Sequence, residues 1–202
     1  MLQEVTLGLE PDERSCFFED GGHRLVSGLI YEASTRGDHD CAAYYFVWKS
    51  LAPPRVKFFG WLLTKNRIHC CQALARKNIL EDAACEICKA AEESADHIFS
   101  KCPFVQGYWT TIGWLPDNIA KVQELWNTQP HSPRIAKKVL HPLLLLLCWE
   151  IWKHMNDVVF RGMPPDVARL TSACKESIKN WSCRILRKEE AMSNSWMLAF
   201  SM

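Results

Sequence analysis

Apolar positions recur along much of this chain with the period of a helix. From Pro54 onward, Val56, Phe59 and Leu63 fall three and four residues apart, with Phe58 and Leu62 beside them, the spacing that gathers side chains on one helical face. Pro54 is placed to open this helix, where its missing N–H costs no hydrogen bond, and Asn66 to end it. Cys71, Leu74 and Ala75 continue a second short helix to Lys77. From Arg134 to Arg161, Leu144, Leu147, Cys148, Ile151, Trp152, Met155 and Val159 form a continuous stripe. Pro142 is expected to kink the start of that helix. Gly162 and then Pro164-Pro165 terminate it. Asp166 caps a last helix running to Glu190, with Leu170, Cys174, Ile178, Trp181 and Ile185 on one face.

Near the N-terminus the period changes. Cys16-Phe17-Phe18 and His23-Arg24-Leu25-Val26 flank Glu19-Asp20-Gly21-Gly22. Asp-Gly and Gly-Gly supply the positive φ angles of a tight turn, so this reads as a short β-hairpin, followed by a helix from Ser27 to Ala33. The predicted fold class is mainly α: a helical domain with a short N-terminal β-hairpin and a small turn between helices around residues 85–102. Three segments follow: a lead-in over 1–43, a central domain over 44–127 and a helical C-terminal segment over 128–202.

Composition narrows the class. The 202 residues are 48% hydrophobic and include nine Trp and ten Cys, both types that favour burial. Met1-Leu2-Gln3-Glu4 has no secretory character, and the longest apolar run, Pro142 to Trp149, is far short of the roughly 18 residues of a membrane span. These features predict an intracellular protein, nuclear or cytoplasmic, with no membrane contact. Reduced thiols follow, so cysteine spacing is read for metal before disulfides.

The net charge of +1 conceals a layout. Residues 1–40 hold nine acids and three bases; residues 41–80 hold seven bases and no acid; residues 81–97 hold six acids and one base. The blocks are expected to neutralise each other within one fold.

The chemistry lies in Cys85-Glu86-Ile87-Cys88, His97 and Cys102, spaced C-x2-C-x8-H-x4-C. Zinc takes four such donors tetrahedrally. On one α-helix, residues 97 and 102 would point about 140° apart and could not share an ion. Pro103 disfavours the α conformation at Cys102, so a helix from Ser94 should end near Ser100, Cys102 should be extended, and Pro103 should open the next helix. Four ligands leave no open coordination position, so the zinc is structural. Lys89 and Lys101 adjoin two of the thiolates and are placed to soften their charge. His69, Cys70 and Cys71 are rival ligands that crowd one another. Cys16, Cys41, Cys148, Cys174 and Cys183 read as core thiols, and His23, His39, His131, His141 and His154 have no ligand spacing.

Trp48-Lys-Ser-Leu-Ala-Pro-Pro-Arg-Val-Lys-Phe-Phe-Gly-Trp61, Cys85-Glu-Ile-Cys88, Glu93-Ser-Ala-Asp-His97-Ile-Phe99, Cys102-Pro-Phe104 and Trp109 together resemble the zinc-binding domain of plant LINE-type (non-LTR retrotransposon) reverse transcriptases. The likeness is strongest over residues 44–110 and extends more weakly to Phe17–Tyr31 and Cys148–Phe160. It implies that Cys85, Cys88, His97 and Cys102 are the metal ligands. It also implies a freestanding piece of a retroelement polyprotein, either a domesticated copy or a remnant without present function. No Asp-Asp pair occurs in the chain, and no ribonuclease H carboxylate set follows Trp181, so the polymerase and nuclease chemistry that needs metal-holding carboxylates is not expected.

The resulting functional expectation is a non-catalytic zinc-binding module, with no small-molecule substrate, that assists RNA or DNA binding. Lys49, Arg55, Lys57, Lys65 and Arg67 would contact phosphates, and Trp48, Phe58, Phe59 and Trp61 are interleaved among them for stacking, with core packing the alternative role of Phe59 and Trp61. The alternative is a scaffold that engages protein partners or self-associates through an uncovered Trp- and Leu-rich tail.

Overall fold

A computed structural model describes residues 42–128 and 137–182, all within one compact unit, Cys41–Met202. The expected N-terminal hairpin and the helix from Ser27 lie outside the described residues. Among the described residues six α-helices run in order: α1 (Ala42–Trp48), α2 (Pro54–Thr64), α3 (Cys71–Ala75), α4 (Pro103–Thr111), α5 (Lys137–Arg161) and α6 (Val167–Ser182). A tight loop and a single π-helical segment, His97–Lys101, fill the space between α3 and α4. Among the described residues the mainly helical fold stands as the periodicity predicts.

Local signals explain the helix ends. Pro54 is the first residue of α2. Its far end closes with Asn66 at φ 53°, where the Asn66 N–H bonds the Leu63 carbonyl at 2.9 Å and the Arg67 N–H bonds the Leu62 carbonyl at 2.8 Å. This paired closure consumes carbonyls that a helix end would otherwise strand. Gly162, at φ +61°, ends α5 as its sequence position predicts. Asp166 accepts the Ala168 N–H at 2.8 Å and so caps α6.

α5 is the spine: α1, α2, α6 and the π segment all pack against it. Leu143 through Cys148 are buried without a break. The one-sided stripe expected there is therefore a helix buried all round, because neighbours press on it from several directions. The helix continues through Pro142. α2 reaches α5 at Gly60, where a Cβ would stand 2.5 Å from the Leu145 side chain. Beside this contact, the Phe59 ring sits 5.2 Å from Trp149 and 5.4 Å from Trp152.

The expected neutralisation between charge blocks involves residues 1–40, which lie outside the described residues. Ion pairs between described residues are local in sequence: Glu86 with Lys89, Glu150 with Lys153 at 2.7 Å, and Asp157 with Arg161 at 2.8 Å. Acids of the 81–97 block instead accept backbone N–H groups. Among the described residues no helix is long and apolar enough to cross a membrane.

Candidate metal centre

The centre is built on two short backbone devices. The first is a narrow loop. The Cys85 N–H bonds the Ala91 carbonyl at 2.9 Å and the Glu93 N–H bonds the Ala83 carbonyl at 2.8 Å, pairing the two arms antiparallel at Ala84 and Glu92. Within the loop, the Lys89 N–H returns to the Cys85 carbonyl at 2.8 Å with Lys89 at φ 53°. That turn brings Cys85 and Cys88 to the same side.

The second device is the π segment. The Cys102 N–H bonds the His97 carbonyl at 2.8 Å, a five-residue closure in place of the four-residue closure of an α-helix. Cys102 is extended, at φ −64° and ψ 128°, and Pro103 opens α4. The break before the proline is where the spacing argument puts it. The helix ends at Lys101, one residue later than expected, and the wider winding is an addition to that argument. Winding and break together return the Cys102 sulfur to the side of the His97 ring.

The result is a cluster in which one ligand atom from each of Cys85, Cys88, His97 and Cys102 lies within 4.8 Å of the others. The Cys85 and Cys102 sulfurs are 4.0 Å apart, and the Cys88 sulfur is 3.3 Å from His97 Nε2. A tetrahedral zinc with bonds of about 2.3 Å to sulfur and 2.0 Å to nitrogen requires edges of about 3.8 Å and 3.5 Å respectively. The donor set fits the ion with little rearrangement. Cys85, His97 and Cys102 are buried and Cys88 is half-buried.

The surroundings favour a thiolate. The contact with the Cys102 sulfur, and then the backbone N–H groups of Cys88 and Ile87, hold Cys85 well below the ordinary thiol range against the opposing effect of burial. At Cys102 the partnership with Cys85, then burial, raises the thiol, while the N–H groups of Phe104 and Val105 at the start of α4 pull the other way.

Three residues to which the sequence reading gave no structural role brace this centre. Glu93, read as part of an acidic block and of a family-like motif, is buried and accepts the Cys71 N–H at 3.0 Å, tying α3 to the loop; its other oxygen has no hydrogen-bond partner. Asp96 accepts the Val122 N–H at 2.9 Å. Trp109 donates its indole N–H to the Phe99 carbonyl at 2.8 Å, holding the π segment to α4. A buried acid two residues inside a charge run leaves no periodic trace. Trp109 was visible only as part of a family-like motif.

The rival ligands stand apart. His69 is exposed, while Cys70 and Cys71 are buried thiols outside the cluster; burial chiefly pushes Cys71 up to about 12. Cys148 and Cys174 are core thiols, and Cys16, Cys41 and Cys183 lie outside the described residues. The Lys89 side chain pairs with Glu86 and Lys101 is exposed.

The basic residues lie on α2 and just beyond the ends of α1 and α2. Lys49, Arg55, Lys65 and Arg67 are exposed. The Lys57 ammonium donates to the Trp48 carbonyl at 3.0 Å, fastening α2 to the end of α1. Lys49 lies over the Tyr44 ring at 5.9 Å and Lys65 over the Trp61 ring at 4.4 Å. Phe59 is in the core, Trp48 and Trp61 are half-buried against each other, and Phe58 is exposed.

The Cys3His cluster between helices is a donor set that could hold a metal ion. The family described as zinc-binding in reverse transcriptase matches residues 27–109, so the resemblance drawn from the motifs is borne out over that segment. A curated Arabidopsis thaliana protein named as a ribonuclease H protein is 30% identical over 66 residues, covering 33% of this chain and 11% of the relative. The chain thus spans about a ninth of that relative's length. No solved structure matches the chain.

Proposed function

We propose that this chain is a non-catalytic, zinc-stabilised module derived from a retroelement reverse transcriptase, and that it binds nucleic acid through its α1–α2 face. The observation that carries the zinc reading is the convergence of four donors, three sulfurs and an imidazole nitrogen, on one point. Cys85, Cys88, His97 and Cys102 would hold the ion, whose chemistry there is structural: it joins the 83–93 loop to the π segment. Three thiolates leave a zinc centre with a charge of −1, a poor Lewis acid with no free position for water or substrate. The segment 44–127 supplies the site, and 128–202 supplies the apolar spine behind it.

The nucleic-acid reading rests on the α1–α2 face, where exposed cations stand among aromatic rings and no acid occurs between residues 41 and 80. Against the scaffold alternative stands the Leu-rich run of α5, which among the described residues is covered within the core. The reading is tested by titrating the zinc-loaded protein with a labelled polynucleotide at several salt concentrations. Affinity falling steeply with salt supports it, since phosphate contacts release counterions; absent binding or a flat response removes it.

A further inference from the structure

α2 carries two faces of different chemistry. Val56, Phe59, Gly60 and Leu63 face the core. On the opposite face lie Phe58, Trp61 and Lys65, three and four residues apart, with Arg55 and Leu62 flanking them. The three rings near this face are not equivalent. Trp61 is half-buried against Trp48 and carries the Lys65 ammonium over its ring. Trp48 offers its carbonyl to Lys57. Phe58 is 59% exposed, a large apolar ring on a helix whose core face is already complete.

Along the helix, Phe58 stands one turn from Arg55 and two turns from Lys65, within a span of about 15 Å. Arg67 follows just past the helix end, and Lys49 follows directly after α1, which packs against α2. A protein-docking patch would be depleted of lysine at its centre; here Arg55 and Lys65 stand on the same side of the helix as the ring and no acid occurs between residues 41 and 80. That charge pattern selects a polyanion. The ring then selects which kind. In a duplex the base faces are covered by neighbouring pairs, so a ring on a convex helix can reach only backbone and edges. An unpaired base presents its face.

We propose that this face of α2 binds single-stranded polynucleotide, with Phe58 stacking on one unpaired base and Arg55, Arg67 and Lys49 contacting the flanking phosphates. The proposal rests on the nucleic-acid reading above and specifies its ligand. Base faces and phosphates are common to RNA and DNA, so strands of either sugar bind alike.

The test is fluorescence anisotropy on the full zinc-loaded chain, using a labelled oligouridylate, an oligothymidylate of equal length, and that oligothymidylate annealed to its complement. The two single strands should bind with similar affinity and the duplex at least tenfold more weakly. Phe58→Ala should weaken single-strand binding by about 5- to 150-fold and leave the duplex unchanged, while Phe58→Trp should restore it. Arg55→Gln should weaken all three ligands and lower the salt slope by about one. Because Phe58 is exposed, its variants should keep the parent's circular dichroism and melting temperature. Duplex binding equal to or tighter than single-strand binding overturns the proposal and leaves the broader nucleic-acid reading standing. So does unchanged single-strand binding in Phe58→Ala. Failure of all three ligands to bind overturns both.

Discussion

The Cys102 N–H reaches the His97 carbonyl across five residues, at 2.8 Å, and this closure, with the break at Pro103, brings two members of the cluster to the same side. In an α-helical register the pair would diverge by about 140°. Inserting one alanine between Phe99 and Ser100 should therefore swing the Cys102 sulfur away by about 100° and abolish metal binding, as read by competition with a chromogenic chelator. Pro103→Ala is milder. It keeps the ligands but loosens the extended conformation at Cys102, and should cost about 0.4–1 kcal/mol in denaturant unfolding.

Gly60→Ala tests the approach of α2 to α5. Alanine favours a helix over glycine by about 1 kcal/mol, so an unhindered site would be stabilised. Here the new Cβ would stand 2.5 Å from Leu145, which is fully buried and has little room to turn. Overpacking of this kind costs about 1–3 kcal/mol. The expected result is a net loss, seen as a lower melting temperature; a gain would show that the two helices can separate without penalty.

His154 gives the fold a dependence on pH. It is buried, accepts the Asp166 N–H through Nε2 at 3.2 Å, and stacks on Phe104 at 5.3 Å. Burial first, and then the Arg169 guanidinium, lower its pKa, while Asp157 and Asp166 oppose them. A depressed histidine is neutral in the folded chain but takes a proton in the unfolded chain below about pH 6.5. The unfolded state then binds more protons, so this contribution to stability is full above about pH 6.5 and is lost as the pH falls towards the folded value. Unfolding free energies measured at pH 7.5 and 5.5 should differ more for the parent than for His154→Gln. Equal differences would contradict the assignment.

Much of this was legible in the sequence, and for identifiable reasons. Proline before α2 and α4, asparagine after α2, glycine after α5 and aspartate before α6 act locally, so their effects can be read without the tertiary structure. The ligand spacing and the break at Pro103 are local in the same way. What escaped depends on contacts across the fold. The winding of the π segment is held by the Trp109 bond to Phe99 and the Asp96 bond to Val122, neither of which has a periodic signature. Leu143 to Leu147 are buried on every side because helices distant in the chain converge there. Glu93 is buried only because the Cys71 N–H needs an acceptor. Phe58 and Phe59 are adjacent and alike in sequence, and only the packing of α2 against α5 separates the exposed ring from the core ring.

Cys85→Ser should cost much of the stability of the central region, since structural zinc in small modules contributes roughly 10–16 kcal/mol, comparable to the roughly 5–15 kcal/mol that holds a whole domain folded. In thermal melts the variant should lose its cooperative transition or melt far below the parent, and adding excess zinc should not restore it. A variant that melts like the parent would show that the ion does not hold the fold together.

Zinc-edge X-ray absorption on the purified protein tests the central claim most directly. The account predicts a four-coordinate zinc with three sulfur neighbours at about 2.3 Å and one nitrogen at about 2.0 Å, from Cys85, Cys88, Cys102 and His97. A fourth sulfur, an oxygen-rich shell, or protein purified without zinc would contradict it.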